Sequence, residues 1–184
     1  MRLPNFVSVS GAALLLVLLS GCVPPGAATP PDPTATFVAP YATDEEALAA
    51  AEEAYADYVR VSTAILVQGG AEPERLEEVL TGDFLESSID GLRDFEQEGK
   101  SQTGRSKIGD AELQRYSPTS GPREVITIYV CRNISAVDVL DSTGKSVVVP
   151  GRDDSSVMQV TFDYVEMREK LLVSDQQLWS RGDC

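Results

Sequence analysis
The apolar residues of this chain change their period once, at Gly99, and that change limits the folds open to it. Before Gly99 they recur at helical spacing: Leu48, Ala51, Tyr55, Tyr58, Val59, Ile65 and Leu66 share one helical face. Thr43-Asp44-Glu45-Glu46 opens this run as a capping box, with acids in the first turn where the helix dipole favours them. Gly69-Gly70 closes it. Pro73 suits the first turn of a second helix, which ends near Leu80 at Thr81-Gly82. Asp83 is placed to cap a third, running through Phe84, Leu85, Ile89, Leu92 and Phe95 to Gly99.

After Gly99 the period is two. Lys107 to Tyr116 reads as a weak strand and Glu124 to Asn133 as a strong one. In the strong strand Val125, Thr127, Tyr129 and Cys131 alternate with Ile126, Ile128 and Val130. Two short apolar runs, Ala136 to Leu140 and Ser146 to Val149, flank the hairpin-like turn Asp141 to Lys145. Ser156 to Val165 and Leu171 to Trp179 complete the set, with Arg168-Glu169-Lys170 as the turn between them. Helices first and antiparallel strands after predict an α+β domain over 43–184, with N-terminal helices packed on a curved antiparallel sheet.

The chain ahead of this domain reads differently. An apolar stretch from Val7 to Leu19 follows Arg2, and it is too short for a bilayer span of ~20 residues. Its length suits the apolar region of a secretory signal, residues 1–21. Leu19-Ser20-Gly21-Cys22 then resembles a bacterial lipobox, which makes Cys22 the lipid attachment site, carrying diacylglycerol and palmitate-type chains. The alternative is an ordinary secretory signal with a cysteine by chance. Acyl chains contribute ~0.8 kcal/mol per buried CH2, so two or more hold a protein stably on a membrane. Residues 22–42 form a spacer. Val23 to Pro40 holds six prolines, which exclude a helix and favour an extended tether. The expected location is the extracytoplasmic face of the cell membrane, with the membrane itself as one partner through the anchor.

Composition narrows the chemistry. The chain has no histidine, which excludes Ser-His-Asp and Cys-His catalytic sets and His-ligated metals. Of three cysteines, Cys22 is assigned to the anchor. Cys131 and Cys184 remain as an even pair in a compartment where disulfides persist, with two buried thiols as the alternative. No calcium-loop motif is present. No cofactor and no metal is assigned. Gly144-Lys145-Ser146 lacks the preceding glycine of a phosphate loop, since Val139 stands there. From Asp44 to Glu98 there are 16 acids and 3 bases, whereas the remainder to Cys184 carries 12 and 11. So acidic a surface repels nucleic acid and anionic headgroups.

Helix order, the cysteine within Tyr129-Val130-Cys131-Arg132-Asn133, the cysteine ending Ser180-Arg181-Gly182-Asp183-Cys184, and Trp179 in the last strand carry a resemblance. Residues 43–184 resemble the nuclear-transport-factor-2-like, or SnoaL-like, cone fold of small secreted lipoproteins of high-GC Gram-positive bacteria. That resemblance implies a pocket between the long helix and the sheet. Enzymes on this cone use a carboxylate base with a tyrosine or acidic donor, which makes Asp163, Tyr55 and Tyr58 the candidates here. Alternation sets Asp163 on the opposite side from Phe162 and Tyr164, and no catalytic residue is assigned. The leading expectation is therefore a non-catalytic domain at the cell envelope, binding a small apolar ligand or an envelope protein. An isomerase or cyclase using carboxylate and tyrosine, and a scaffolding lipoprotein without a ligand, are the alternatives.

Overall fold
A computed structural model describes residues 37–182 and Cys184. The signal segment 1–21, the lipid-site cysteine Cys22 and most of the spacer lie outside the described residues.

The long helix α1 spans Asp44–Val67. Its capping box forms: Thr43 Oγ1 accepts from the Glu46 N–H at 3.2 Å, and Glu46 Oε2 accepts from the Ala42 N–H at 2.8 Å. Ala47, Ala51, Ala54, Tyr55, Val59 and Ile65 are buried along one side. The small residues of that row let the helix approach the sheet closely, while Tyr55 fills the space beyond them. Gly70 lets the chain turn tightly against the next helix. A Cβ there would come within 2.6 Å of the Leu92 carbonyl oxygen, and its φ is +92°.

The second predicted helix is a short 3-10 turn, Pro73–Glu78. The α-helix does not form because the chain leaves the turn after Glu78 to make strand-like bonds. Leu80 bridges Val173, and the Val79 carbonyl accepts from the Val173 N–H. Arg168 and Lys170 donate to the Glu77 and Glu78 carbonyls at the end of this turn. Helix α2 spans Gly82–Gln97, with Thr81 rather than Asp83 at its N-cap. Asp83 sits within the first turn, where it favours the helix dipole instead of closing a capping bond.

Six strands follow: β1 Ser101–Thr103, β2 Lys107–Tyr116, β3 Ile126–Asn133, β4 Asp138–Leu140, β5 Ser155–Val165 and β6 Lys170–Arg181. The main sheet is antiparallel in the order β2-β3-β5-β6, and β1 pairs with β4 in a separate two-stranded sheet. Strand β1 is not visible in the apolar pattern. The turn Asp141 to Lys145 does form, with Asp141 Oδ1 accepting from the Thr143 and Lys145 N–H groups. Residues 146–149 make a bridge but no regular strand, because Val147 and Val149 have no core beneath them and stay exposed.

Period two sorts the sheet into an inner face toward the helices and an outer face. Ile126, Ile128 and Val130 of β3, and Val160 and Phe162 of β5, are buried inward with Leu171 and Val173 of β6. At ~25 cal/mol per Å2 of apolar surface, each such side chain contributes about 1.5–3 kcal/mol. Both sheet edges are guarded. Residues 79–81 lie along β6, whereas β2 carries two register shifts and the charged side chains of Lys107, Asp110, Glu112 and Arg115.

Candidate functional site
The inner face is readable strand by strand from the register, since directly paired residues point to the same side. Along β3 it runs Ile126, Ile128, Val130, Arg132. The apolar row thus ends in a guanidinium. Arg132 pairs with Ile108 of β2 on one side and with Ser156 of β5 on the other, and Ser156 pairs in turn with Arg181 of β6. The next row inward is Val130, Met158 and Leu178. One end of the inner face therefore holds two arginines flanking a serine, above an apolar shelf.

The long helix lowers two tyrosines toward this end. Tyr55 is fully buried, and its hydroxyl donates to Gln176 Oε1 at 3.1 Å. The Tyr58 ring lies 5.9 Å from Tyr55 and 6.0 Å from Phe84 of α2. Burial pushes the Tyr55 hydroxyl up to about 12, against the opposing pull of the Arg132 charge. Tyr58 is raised for the same reason, again with Arg132 pulling down. Arg132 stands close enough to the Tyr55 hydroxyl for its charge and a loose hydrogen bond, the phenolic oxygen accepting, to oppose that shift. Its Nε is sealed from solvent and has no hydrogen-bond partner. Among the described residues, no carboxylate lies within ion-pair distance of Arg132 or Arg181.

Asp163 is not brought to this place. It pairs with Leu172, between the inward Phe162 and Tyr164, so it faces outward. Its Oδ1 accepts from the Glu124 N–H at 2.8 Å, which ties the loop before β3 to β5. Glu124 has φ +49°, a left-handed backbone that a non-glycine residue adopts at some cost, and the Asp163 bond offsets it. Asp163 thus has a structural task, and neither Tyr55 nor Tyr58 is among its partners.

Cys131 and Cys184 are bonded on the outer face, Cα to Cα 5.7 Å, across 53 residues of sequence. Beside them Trp179 stacks on Tyr129 at 4.9 Å between ring centroids. Gly109 leaves room for the bridge, because a Cβ there would meet Cys131 Cβ at 3.0 Å. The bridge fastens the end of β6, and so Arg181, to the strand that carries Arg132.

Reading by period and by motif misses Arg132 and Arg181. A signal for Arg132 existed: it is the next inward position after Ile126, Ile128 and Val130. Arg181 had no such signal, because β6 carries register shifts opposite Val157–Met158 and Thr161–Phe162 that break its alternation.

No protein-family model matches the chain, and the curated proteins give no match. Solved structures do share its architecture. It is similar to the intermembrane space region of the chloroplast protein ARC6, with a TM-score of 0.53 and 12% identity over 71% of this chain and 95% of that one. At that identity the likeness shows an α+β fold alone. Aln2 from a Streptomyces species overlays more loosely, with a TM-score of 0.45 and 14% identity over 74% of this chain and 91% of that one.

Proposed function
We propose that this chain is a lipid-anchored extracytoplasmic lipoprotein whose nuclear-transport-factor-2-like domain binds a ligand at the cell envelope and does no chemistry on it. The observation that carries the binding reading is the inner face itself. Its register rows hold arginine, serine and glutamine among apolar residues, and no carboxylate. A carboxylate base is what isomerase and cyclase chemistry on such a scaffold needs. The tyrosines cannot replace it, because burial keeps Tyr55 and Tyr58 protonated at neutral pH, where they donate hydrogen bonds. A scaffold acting through its outer face is less well supported, since Gln159, Thr161, Asp163, Asp175 and Gln177 make that face largely polar.

The anchor rests on Cys22 and the small residues before it. The bonded Cys131–Cys184 pair suits the oxidising compartment that a lipobox implies. No described helix is long and apolar enough to cross a membrane, so attachment in this reading falls to the lipid. The test of the anchor is detergent-phase partitioning of the chain and of Cys22→Ala from a bacterial host. The parent should enter the detergent phase and incorporate labelled palmitate. The variant should remain an unprocessed precursor or appear as soluble protein. A variant that is processed and labelled like the parent removes the anchor from the reading. For the binding half, turnover of small carbonyl and ester compounds by the purified chain would replace a binding domain with an enzyme.

A further inference from the structure
We infer that the row Arg132–Ser156–Arg181 is a binding site for the carboxylate head of a small amphipathic organic acid, with Met158 and Leu178 receiving its apolar body. This rests on the binding reading above and adds the class of ligand.

Three observations converge. The first is geometric. Arg132 and Arg181 pair with the same residue, Ser156, from opposite sides. Neighbouring strands lie about 4.8 Å apart, so the two guanidinium stems rise roughly 10 Å from each other on one face. Long side chains across that gap can converge on one small anion, with the Ser156 hydroxyl between them. The second is an unmet valence. A guanidinium offers five donors in a planar fork that matches a carboxylate. Even half-burying one with no acid beside it carries a cost. Yet Arg132, half-buried, keeps its Nε sealed and unpartnered, and the neighbouring phenols, protonated at neutral pH, bring it no counter-charge. An anion at the solvent-facing end of this half-buried guanidinium supplies the missing counter-charge. The third is the neighbouring surface. Ile108, in the Arg132 row, is 36% exposed, and Leu178 is 47% exposed beside Met158. Apolar side chains left open beside paired cations suit a ligand with a charged head and an apolar body.

The rest of the domain decides against larger anions. Residues 44–98 carry 16 acids and 3 bases, and both helices that flank the inner face come from this stretch. A nucleic acid or an anionic bilayer would meet that field across a broad front. A small monoanion is screened beyond ~8 Å in physiological salt and reaches the arginines at close range. The Cys131–Cys184 bridge gains a role from this arrangement. It holds the last residues of β6 on the sheet, where Arg181 faces Ser156.

The experiment is a titration of the full chain in detergent, with hexanoate and its neutral counterpart hexanamide as probes, read by the arginine side-chain Nε–H resonances. Hexanoate should saturate and shift the Arg132 signal, with hexanamide at least about tenfold weaker, the weight of one charge-assisted hydrogen bond. Arg132→Met keeps the packed stem and removes the fork. It should weaken hexanoate by a similar factor, leave hexanamide unchanged and melt close to the parent, because it keeps the stem and removes a half-buried charge with no acid beside it. Arg181→Met, on an exposed residue, carries the same binding test if Arg132→Met fails to fold. Equal binding of the two probes, or hexanoate binding undiminished in the folded variants, overturns the anion assignment and leaves a binding domain. Absence of binding by either probe at the inner face overturns the binding reading as well.

Discussion
The two faces of the β2-β3-β5-β6 sheet are built from the same strands and do opposite work. Inward, Ile126, Ile128, Val130, Val160 and Phe162 are sealed under α1, and the row ends abruptly in Arg132. Outward, the same strands carry Thr, Gln, Asp and Glu, with one covalent bridge and one aromatic stack at the far end. Alternation along each strand makes this division almost automatic. The difference teaches where to look for function. On the outer face a charge such as Asp163 is ordinary and finds a backbone partner. On the inner face a charge is out of place unless something pairs with it, and Arg132 has no acid beside it among the described residues.

The comparison breaks most easily in the core. Phe162→Ala empties a fully buried ring site and should cost about 3–5 kcal/mol. Trp179→Ala removes a larger ring that is 61% exposed and should cost about 1 kcal/mol or less. Urea melts of the two variants check the pair. Equal losses would mean that the outer face carries as much of the fold as the inner one.

The bridge comes next. It closes a loop spanning 53 residues, for which chain entropy gives about 4 kcal/mol, with measured removals in the range of about 2–5 kcal/mol. Cys131→Ser with Cys184→Ser should therefore lower the melting temperature markedly. It should also free the end of β6 to exchange its amides, since that end is otherwise held only by its pairing with β5 and by the Gly182 N–H bond to the Ser155 carbonyl. Unchanged protection at Ser180 and Arg181 in the doubly substituted chain would show that strand pairing alone places Arg181.

Much of this division was legible in the residues. The switch of period at Gly99 gave the order of helices and strands, and the alternation through Phe162-Asp163-Tyr164 placed Asp163 on the outer side. What escaped was whatever depends on partners distant in sequence. Strand β1, three residues long, has no pattern of its own and exists because β4 lies beside it. Pro73–Glu78 reads as a helix because its composition allows one, but its continuation is captured by Val173. The site escaped for a similar reason. Arg132 follows the inward series of β3, yet its meaning comes from Ser156, Arg181 and the two tyrosines of α1, brought together only by the register.

The tyrosines sharpen the comparison through pH. Burial lifts Tyr41 and Tyr55 from an ordinary 10.0 to about 12. A proton held more tightly in the folded state stabilises it fully below the unfolded value. That contribution is lost as pH rises from about 10 toward about 12, where the unfolded chain ionises first. Stability should fall over that window, and Tyr55→Phe should flatten the fall while costing about 1 kcal/mol at neutral pH through its lost bond to Gln176. An unaltered alkaline limb in Tyr55→Phe would mean that its hydroxyl is open to water and that this end of the inner face is not dry.

The smallest effect belongs to the outer aromatic pair. Tyr129 and Trp179 lie 4.9 Å apart with their planes inclined at 43°, a tilted contact within the range of favourable centroid separations. Aromatic pairs contribute about 0.5–1.5 kcal/mol beyond the area they bury, and exposure of Trp179 sets this one at the lower end. A double-mutant cycle with Tyr129→Leu and Trp179→Leu should return a coupling near 0.5 kcal/mol. Trp179 is the only tryptophan in the chain, so its fluorescence reports the same place. It should be quenched readily by a neutral quencher such as acrylamide, with the bridge intact or reduced. A coupling well above 1.5 kcal/mol, or a tryptophan shielded from acrylamide, would mean that another surface covers the outer face in solution. The polar residues around the pair would then border an interface, and the contrast between the two faces would become a contrast between two binding surfaces.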